Sequence, residues 1–228
     1  MISFRESDHS YWLNDVRVPG VNEIIEAVGL TDPAAKRNYT PFHAARGKAL
    51  HKATYLYDIG VLDESSIDPE IAGCFEAYKL FVKQYIQYQD QWLAMELIVF
   101  NSDLFYVGTL DRLGRLCTKD IIIIVEIKTG QKTKWHAIQL ALYALALQNK
   151  TKNDNKDNLW NFSEIDIKEG TVTSQKTNVP LLPLPKLYGL YLKKDGTFKA
   201  SRDLVDYTDP EIFKVAESAV RLFHWKGK

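Results

Sequence analysis

The spacing of apolar and polar positions divides this 228-residue chain into stretches of different texture. Met1 to Leu13 alternates around Asp8-His9-Ser10, which predicts a short hairpin. Val18-Pro19-Gly20-Val21 reads as a turn, and Asn22 to Val28 as a short helix closed by Gly29. Pro33 to Tyr39 suggests another short helix. Thr40-Pro41 supplies an N-cap and a proline at the first helical position for a helix running to about Ile59. Asp68-Pro69-Glu70 repeats that start signal, and Ile71 to about Gln89 carries apolar residues at helical spacing. From Trp92 the pattern turns to strands. Met95 to Phe100, Phe105 to Leu113 and Leu116 to Lys128 are rich in β-branched and aromatic residues, and turns at Asn101-Ser102-Asp103 and Gly114 separate them. They predict a three-stranded antiparallel meander.

Trp135 to Gln148 follows as a helix with a broad apolar side, suited to lying against that sheet. Asn149 to Thr177 is strongly polar and predicts a protruding loop or small hairpin, and Pro180 to Pro185 an extended connector. Leu187 to Leu192 returns to strand, Lys194-Asp195-Gly196 is a turn, and Asp209-Pro210-Glu211 opens a last helix ending near Phe223. The order αα, βββ, α, β, α predicts an α/β fold in which a central mixed β-sheet is flanked by helices. The length suits a single domain over 1–228, with a helical N-terminal part over about 20–90 and a polar insertion over about 149–180.

Composition adds constraints. With 46% hydrophobic and 25% charged residues the chain can bury a core, which argues against wholesale disorder. Lysine plus arginine balances aspartate plus glutamate at 29 each, so no global positive field points to nucleic acid, and any such partner must be held locally. Cys74 and Cys117 are too few for a four-cysteine zinc or iron–sulfur site and fit a reducing interior. No apolar run reaches the roughly 20 residues of a membrane helix, and the first residues lack a secretory signal, so a cytoplasmic protein with no membrane partner is expected.

The candidate chemistry lies between Gly108 and Tyr143. On a strand, Glu126 and Lys128 project from one face while Val125 and Ile127 point into the opposite layer. If the strand carrying Asp111 pairs alongside, two acids and a lysine converge, the minimum apparatus for metal-assisted phosphodiester hydrolysis. Each residue also has a plainer reading. Glu126 and Lys128 can be a strand-end salt bridge, Asp111 a turn acid, and Gln139 and Tyr143, four apart on a helix, a packed core pair. The run Ile121-Ile122-Ile123-Ile124-Val125 favours function, because a strand buried on both faces tolerates charges at its end only with a reason.

Taken in order, Gly47 and His51 (four apart), Glu96, Gly108-Thr109-Leu110-Asp111, Glu126-Ile127-Lys128-Thr129-Gly130, and Gln139 with Tyr143 resemble the motif series of the RecB-like branch of the PD-(D/E)XK nuclease superfamily. That branch includes phage recombination, CRISPR-associated and mitochondrial genome maintenance exonucleases. The similarity spans Arg46 to Tyr143, and Val18 to Ile25 is a weaker match to a segment near the start of some members. Glu126 stands where many members have aspartate, and the cysteines that hold an iron–sulfur cluster in some relatives are missing, so no cluster is expected.

The resemblance implies a restriction-endonuclease-like core and a metal-dependent DNA exonuclease acting from DNA ends, in recombination, repair or replication of a phage or bacterium. An endonuclease of the same fold and an inactive DNA-binding module are the alternatives. It further implies that Asp111, Glu126 and the main-chain carbonyl of Ile127 hold Mg²⁺ or Mn²⁺, with His51 as an added ligand and Glu96 as a further candidate. Carboxylate and carbonyl oxygens suit both cations, and an imidazole tilts the preference toward manganese. Lys128 would act on the attacking water. Gln139 and Tyr143 would hold the DNA backbone or the lysine. Arg46, Lys48, Lys52, Lys132 and Lys134 are candidates for phosphate contacts, and Trp135 for stacking on a base. Single-stranded DNA or duplex with free ends would be the partner, alongside recombination or replication proteins.

Overall fold

A computed structural model describes the backbone of residues 2–5, 7–31, 40–86, 91–117, 121–153, 162–166, 171–175 and 184–227, and the side chains of these outside 149–183. The chain opens with β1 (Ile2–Arg5), β2 (Ser10–Leu13) and β3 (Val16–Val18), a three-stranded antiparallel sheet. The hairpin expected before Leu13 is therefore joined by a third strand. Val18, read from sequence as part of a turn, ends that strand, because it pairs with Tyr11 and is buried against Ile98 and Val107. Helix α1 (Val21–Ala27) follows, and Gly29 closes it with φ of +79°, a left-handed backbone that glycine adopts freely. The short helix expected over Pro33 to Tyr39 lies outside the described residues.

Helix α2 (Pro41–Asp58) begins at the expected threonine–proline pair, and α3 (Pro69–Phe81) at Asp68, whose side chain accepts from the Glu70 amide. Helix α3 ends sooner than its apolar spacing suggests, passing into a π-helical turn over Val82–Ile86. The expected meander is present as β4 (Trp92–Asn101), β5 (Tyr106–Leu116) and β6 (Ile121–Lys128), but Gly114, read from sequence as a turn, lies inside β5, paired with Trp92 on one side and Ile123 on the other. Helix α4 (Trp135–Asn153) leads to β7 (Phe162–Asp166) and β8 (Thr171–Gln175), an antiparallel pair within the polar stretch. The proline-rich connector falls mostly outside the described residues. Strand β9 (Lys186–Tyr191) returns parallel to β6. A short helix α5 (Ala200–Asp203) and an unforeseen edge strand β10 (Leu204–Asp206) precede α6 (Pro210–Lys226).

The central sheet runs β10-β9-β6-β5-β4, mixed because only β6 and β9 are parallel. Helices cover both faces, as expected of an α/β, restriction-endonuclease-like core. One face packs α1, α4 and α6 against Leu97, Val99, Leu110, Leu113, Ile122 and Ile124. The other packs α2 and α3 against Ile123, Val125, Ile127, Leu190 and Leu192. The isoleucine run of β6 thus feeds alternate side chains into two cores, which is why it shows no polar alternation. Among the described residues no helix is long and apolar enough to cross a membrane.

Candidate functional site

Strict two-residue alternation fails between Ala94 and Leu97 on β4 and between Leu110 and Leu113 on β5, and the acids gather there. Ala94 faces the same core as Leu97, three residues on, and Leu113 the same core as Leu110. Both strands therefore exchange their faces between those positions. The register pairs Met95 with Arg112 and Leu97 with Leu110, which puts Glu96 across from Asp111. Glu96 itself has φ of +49°, a left-handed conformation uncommon for a residue with a side chain and stabilised only by its surroundings. Pairing of β5 with β6 reaches from Leu116–Ile121 to Arg112–Val125. Beyond it the Asp111 carboxylate takes over, accepting the Ile127 amide N–H through Oδ2 at 2.6 Å. Glu96, Asp111 and Glu126 thus stand in a row across three neighbouring strands.

Helix α2 lies over this row. His51 Nδ1 is 3.2 Å from Asp111 Oδ1. One ligand atom each of His51, Glu96 and Asp111 lies within 4.8 Å of the others, the spacing of a site able to hold a metal ion. Glu126 is joined instead to Lys128, whose Nζ donates to Oε1 at 2.9 Å. Its Oε2 is buried and has no partner among the described protein groups. An orphaned carboxylate oxygen beside a cluster of acids is a group awaiting a cation or a donor. Asp111 and Glu126 are 5% and 4% exposed.

The charges respond to this confinement. Burial and the Asp111 charge push the Glu126 carboxyl above its usual range, against the pull of Lys128. Burial and Asp111 likewise raise Glu96. Burial would raise Asp111 too, but the charge and hydrogen bond of His51, with Lys128 and the Ile127 amide, outweigh it and hold the group low. Burial opposes protonation of His51, yet Asp111, Glu96 and Glu126 carry it up to about 9. The acids thus draw a proton onto the imidazole, which marks a place where positive charge is favoured. An imidazole nitrogen and carboxylate oxygens form a donor set that fits a divalent cation, and the residues here can hold one.

Helix α4 supplies the other wall. Gln139 Nε2 donates to the Tyr143 hydroxyl at 3.0 Å and to Asn22 Oδ1 of α1 at 3.0 Å, while Gln139 Oε1 is buried without a partner among the described groups. Burial raises the Tyr143 pKa well above its usual value, so it stays a neutral hydroxyl. Gly108 is needed for contact, since a Cβ there would lie 2.6 Å from Tyr143 Cε1 and 2.9 Å from Val21 Cγ2. Gly47 has no such constraint, with nothing within 4 Å of its notional Cβ.

The remaining candidates are placed less centrally. Arg46 is half-buried and reaches the Thr129 carbonyl at 3.4 Å, just past the end of β6. Lys48, Lys52, Lys132 and Lys134 are exposed, with the Lys132 ammonium donating to the Arg202 carbonyl. Trp135 is partly buried against the core, with Lys128 Nζ 5.8 Å from its ring centroid. Ile127 meets the cluster through its amide. Sequence reasoning passed over Arg112, Asp58, Thr54 and Tyr78, which form a buried polar network behind Glu96 and Asp111. The available signal was an arginine directly after the key aspartate inside an apolar strand. In comparisons with known proteins the chain matches no family model and no curated protein.

Proposed function

We propose that this chain is a divalent-metal-dependent deoxyribonuclease that hydrolyses phosphodiester bonds from DNA ends, in recombination, repair or replication. The observation that carries the reading is the convergence of His51, Glu96 and Asp111 within 4.8 Å, beside a Glu126–Lys128 pair on the adjoining strand. The motif order that resembles RecB-like nucleases supports it. His51, Asp111 and Glu96 would hold Mg²⁺ or Mn²⁺, with the free Oε2 of Glu126 as the next donor. The cation would supply Lewis acidity toward the phosphoryl oxygens.

The chain's own groups account for the rest. Lys128, fixed by Glu126 and flanked by Trp135, presents an ammonium that orients the attacking water and offsets charge on the phosphate. Glu126 holds that ammonium in place through Oε1, which leaves its Oε2 for the cation. Tyr143, whose oxygen accepts from Gln139, keeps its own O–H for a phosphate oxygen. Arg46, Lys48, Lys132 and Lys134 would meet neighbouring phosphates.

The test uses end-labelled linear DNA and closed circular DNA with magnesium or manganese, and compares wild type with Asp111→Ala and Lys128→Ala. The expected result is digestion of linear strands, intact circles and two inactive variants. Cut circles would point to an endonuclease on the same site. No hydrolysis by wild type with either cation, or undiminished hydrolysis by both variants, would overturn the proposal.

A further inference from the structure

Arg112 is among the largest fully buried side chains of the described residues, and four hydrogen bonds to described groups leave its guanidinium. Nε donates to Asp58 Oδ2 at 2.8 Å. One terminal nitrogen donates to Glu96 Oε1 at 3.2 Å and to the main-chain carbonyl of Asp111 at 2.8 Å. The other donates to Thr54 Oγ1 at 3.1 Å. Asp58 Oδ2 also accepts the Tyr78 hydroxyl at 2.6 Å, so α2, α3, β4 and β5 meet on one cation.

An arginine kept only to close a buried ion pair would need Asp58 alone. This one also grips the Glu96 carboxylate and the backbone of Asp111, two of the three residues whose donors converge. Glu96 is besides in a left-handed conformation, which persists only where neighbours over-determine it. His51, Thr54 and Asp58 are spaced three and four apart on α2, so one helix face presents the imidazole and anchors the guanidinium. A planar fork is what allows several acceptors to be held at fixed angles, and a lysine ammonium lacks it.

We propose that Arg112 is a positioning residue, whose guanidinium sets the Glu96 carboxylate and the Asp111 main chain against His51 so that the cation donors converge. The inference rests on the reading of that cluster as a metal site. Arg112 does not face the cation itself and acts through Glu96 and Asp111, with Asp58 and Tyr78 fixing its own orientation.

Two variants test it. Arg112→Lys keeps the charge and loses the fork. The double substitution Arg112→Met with Asp58→Asn removes both charges together, since a buried pair taken away whole is tolerated far better than one broken. Each full-length protein is stripped of metal, titrated calorimetrically with Mn²⁺, and followed through thermal unfolding by circular dichroism. The expected result is at least tenfold weaker Mn²⁺ binding in both variants, with native secondary structure and a cooperative melting transition in each. Wild-type Mn²⁺ affinity in either folded variant would overturn the positioning role and leave the metal site standing. No Mn²⁺ binding by wild type would overturn the metal site and this inference with it. If neither variant folds, the network is a folding requirement and the positioning role is lost.

Discussion

At the scale of single residues, the site works by forcing like charges together and then limiting how they are satisfied. Asp111 spends one oxygen on the Ile127 amide and turns the other to His51, while Glu126 spends one on Lys128 and none on any other described group. Lys128→Ala should therefore lower DNA hydrolysis by about 10²- to 10⁴-fold, the usual range for a group acting on protons or on developing charge. Steady-state rates on an end-labelled strand check this, and a loss smaller than tenfold would remove Lys128 from the mechanism. Away from the acids, His136 is 5% exposed, and its Nδ1 lies 2.6 Å from the Tyr191 hydroxyl.

Burial, and then the Lys128 charge, lower the His136 pKa to about 3. The unfolded chain takes up that proton near pH 6.5 and the folded protein does not, so stability falls as pH drops from 6.5 toward 3. His136→Phe should spare the protein about 2 kcal/mol of the loss between pH 7 and pH 5. Denaturant melts of both proteins at the two pH values measure the difference, and equal losses would contradict it.

Elements set which groups can meet. The coincident exchange of faces in β4 and β5 brings Glu96 and Asp111 into the row with Glu126, and α4 closes the row because Gly108 lets Tyr143 approach the sheet. Gly108→Ala would drive a methyl into Tyr143 and Val21, at about 1–3 kcal/mol for overpacking a filled interior. Chemical denaturation should show that loss, with reduced hydrolysis as Tyr143 and Gln139 shift. A variant as stable and active as wild type would mean the contact relaxes freely. Much of this element level was legible beforehand: helix starts at Thr40, Asp68 and Asp209 and the meander follow from local capping and periodicity. Strands β3 and β10 were not legible, because three-residue segments carry too little pattern and form only against a partner strand.

For the molecule as a whole, zero net charge would confine any DNA binding to local contacts. If Arg46, Lys48, Lys132 and Lys134 each meet one phosphate, the affinity for single-stranded DNA should fall with salt at a log–log slope of about −3, given about 0.7 per phosphate. Binding isotherms across a salt series check it, and a slope steeper than about −6 would require a larger basic surface. Bound cation should also raise stability by about 2.7 kcal/mol at a hundredfold excess over its dissociation constant. Thermal melts with and without Mn²⁺, reversed by chelator, test that, and unchanged melting would count against the metal site.

By itself the sequence determined the α/β layering, the isoleucine strand between two cores, and the identities of the acids, the histidine and the lysine. The layering and the isoleucine strand depend on periodicity, which is local, whereas the acids, the histidine and the lysine were singled out by their order along the chain, through the resemblance to RecB-like nucleases. Only the tertiary structure decided that Glu96 joins His51 and Asp111, that Glu126 pairs with Lys128, and that Arg112 lies beneath them. These depend on the left-handed turn of one residue and on the packing of α2 over the sheet. A period-two reading places Arg112 on the Leu110 face, and the exchange of faces between Leu110 and Leu113 turns it instead toward Asp58 and Thr54. No local pattern reports such an exchange, because the contacts around it join different elements, with Arg112 reaching Asp58 and Thr54 more than fifty positions away.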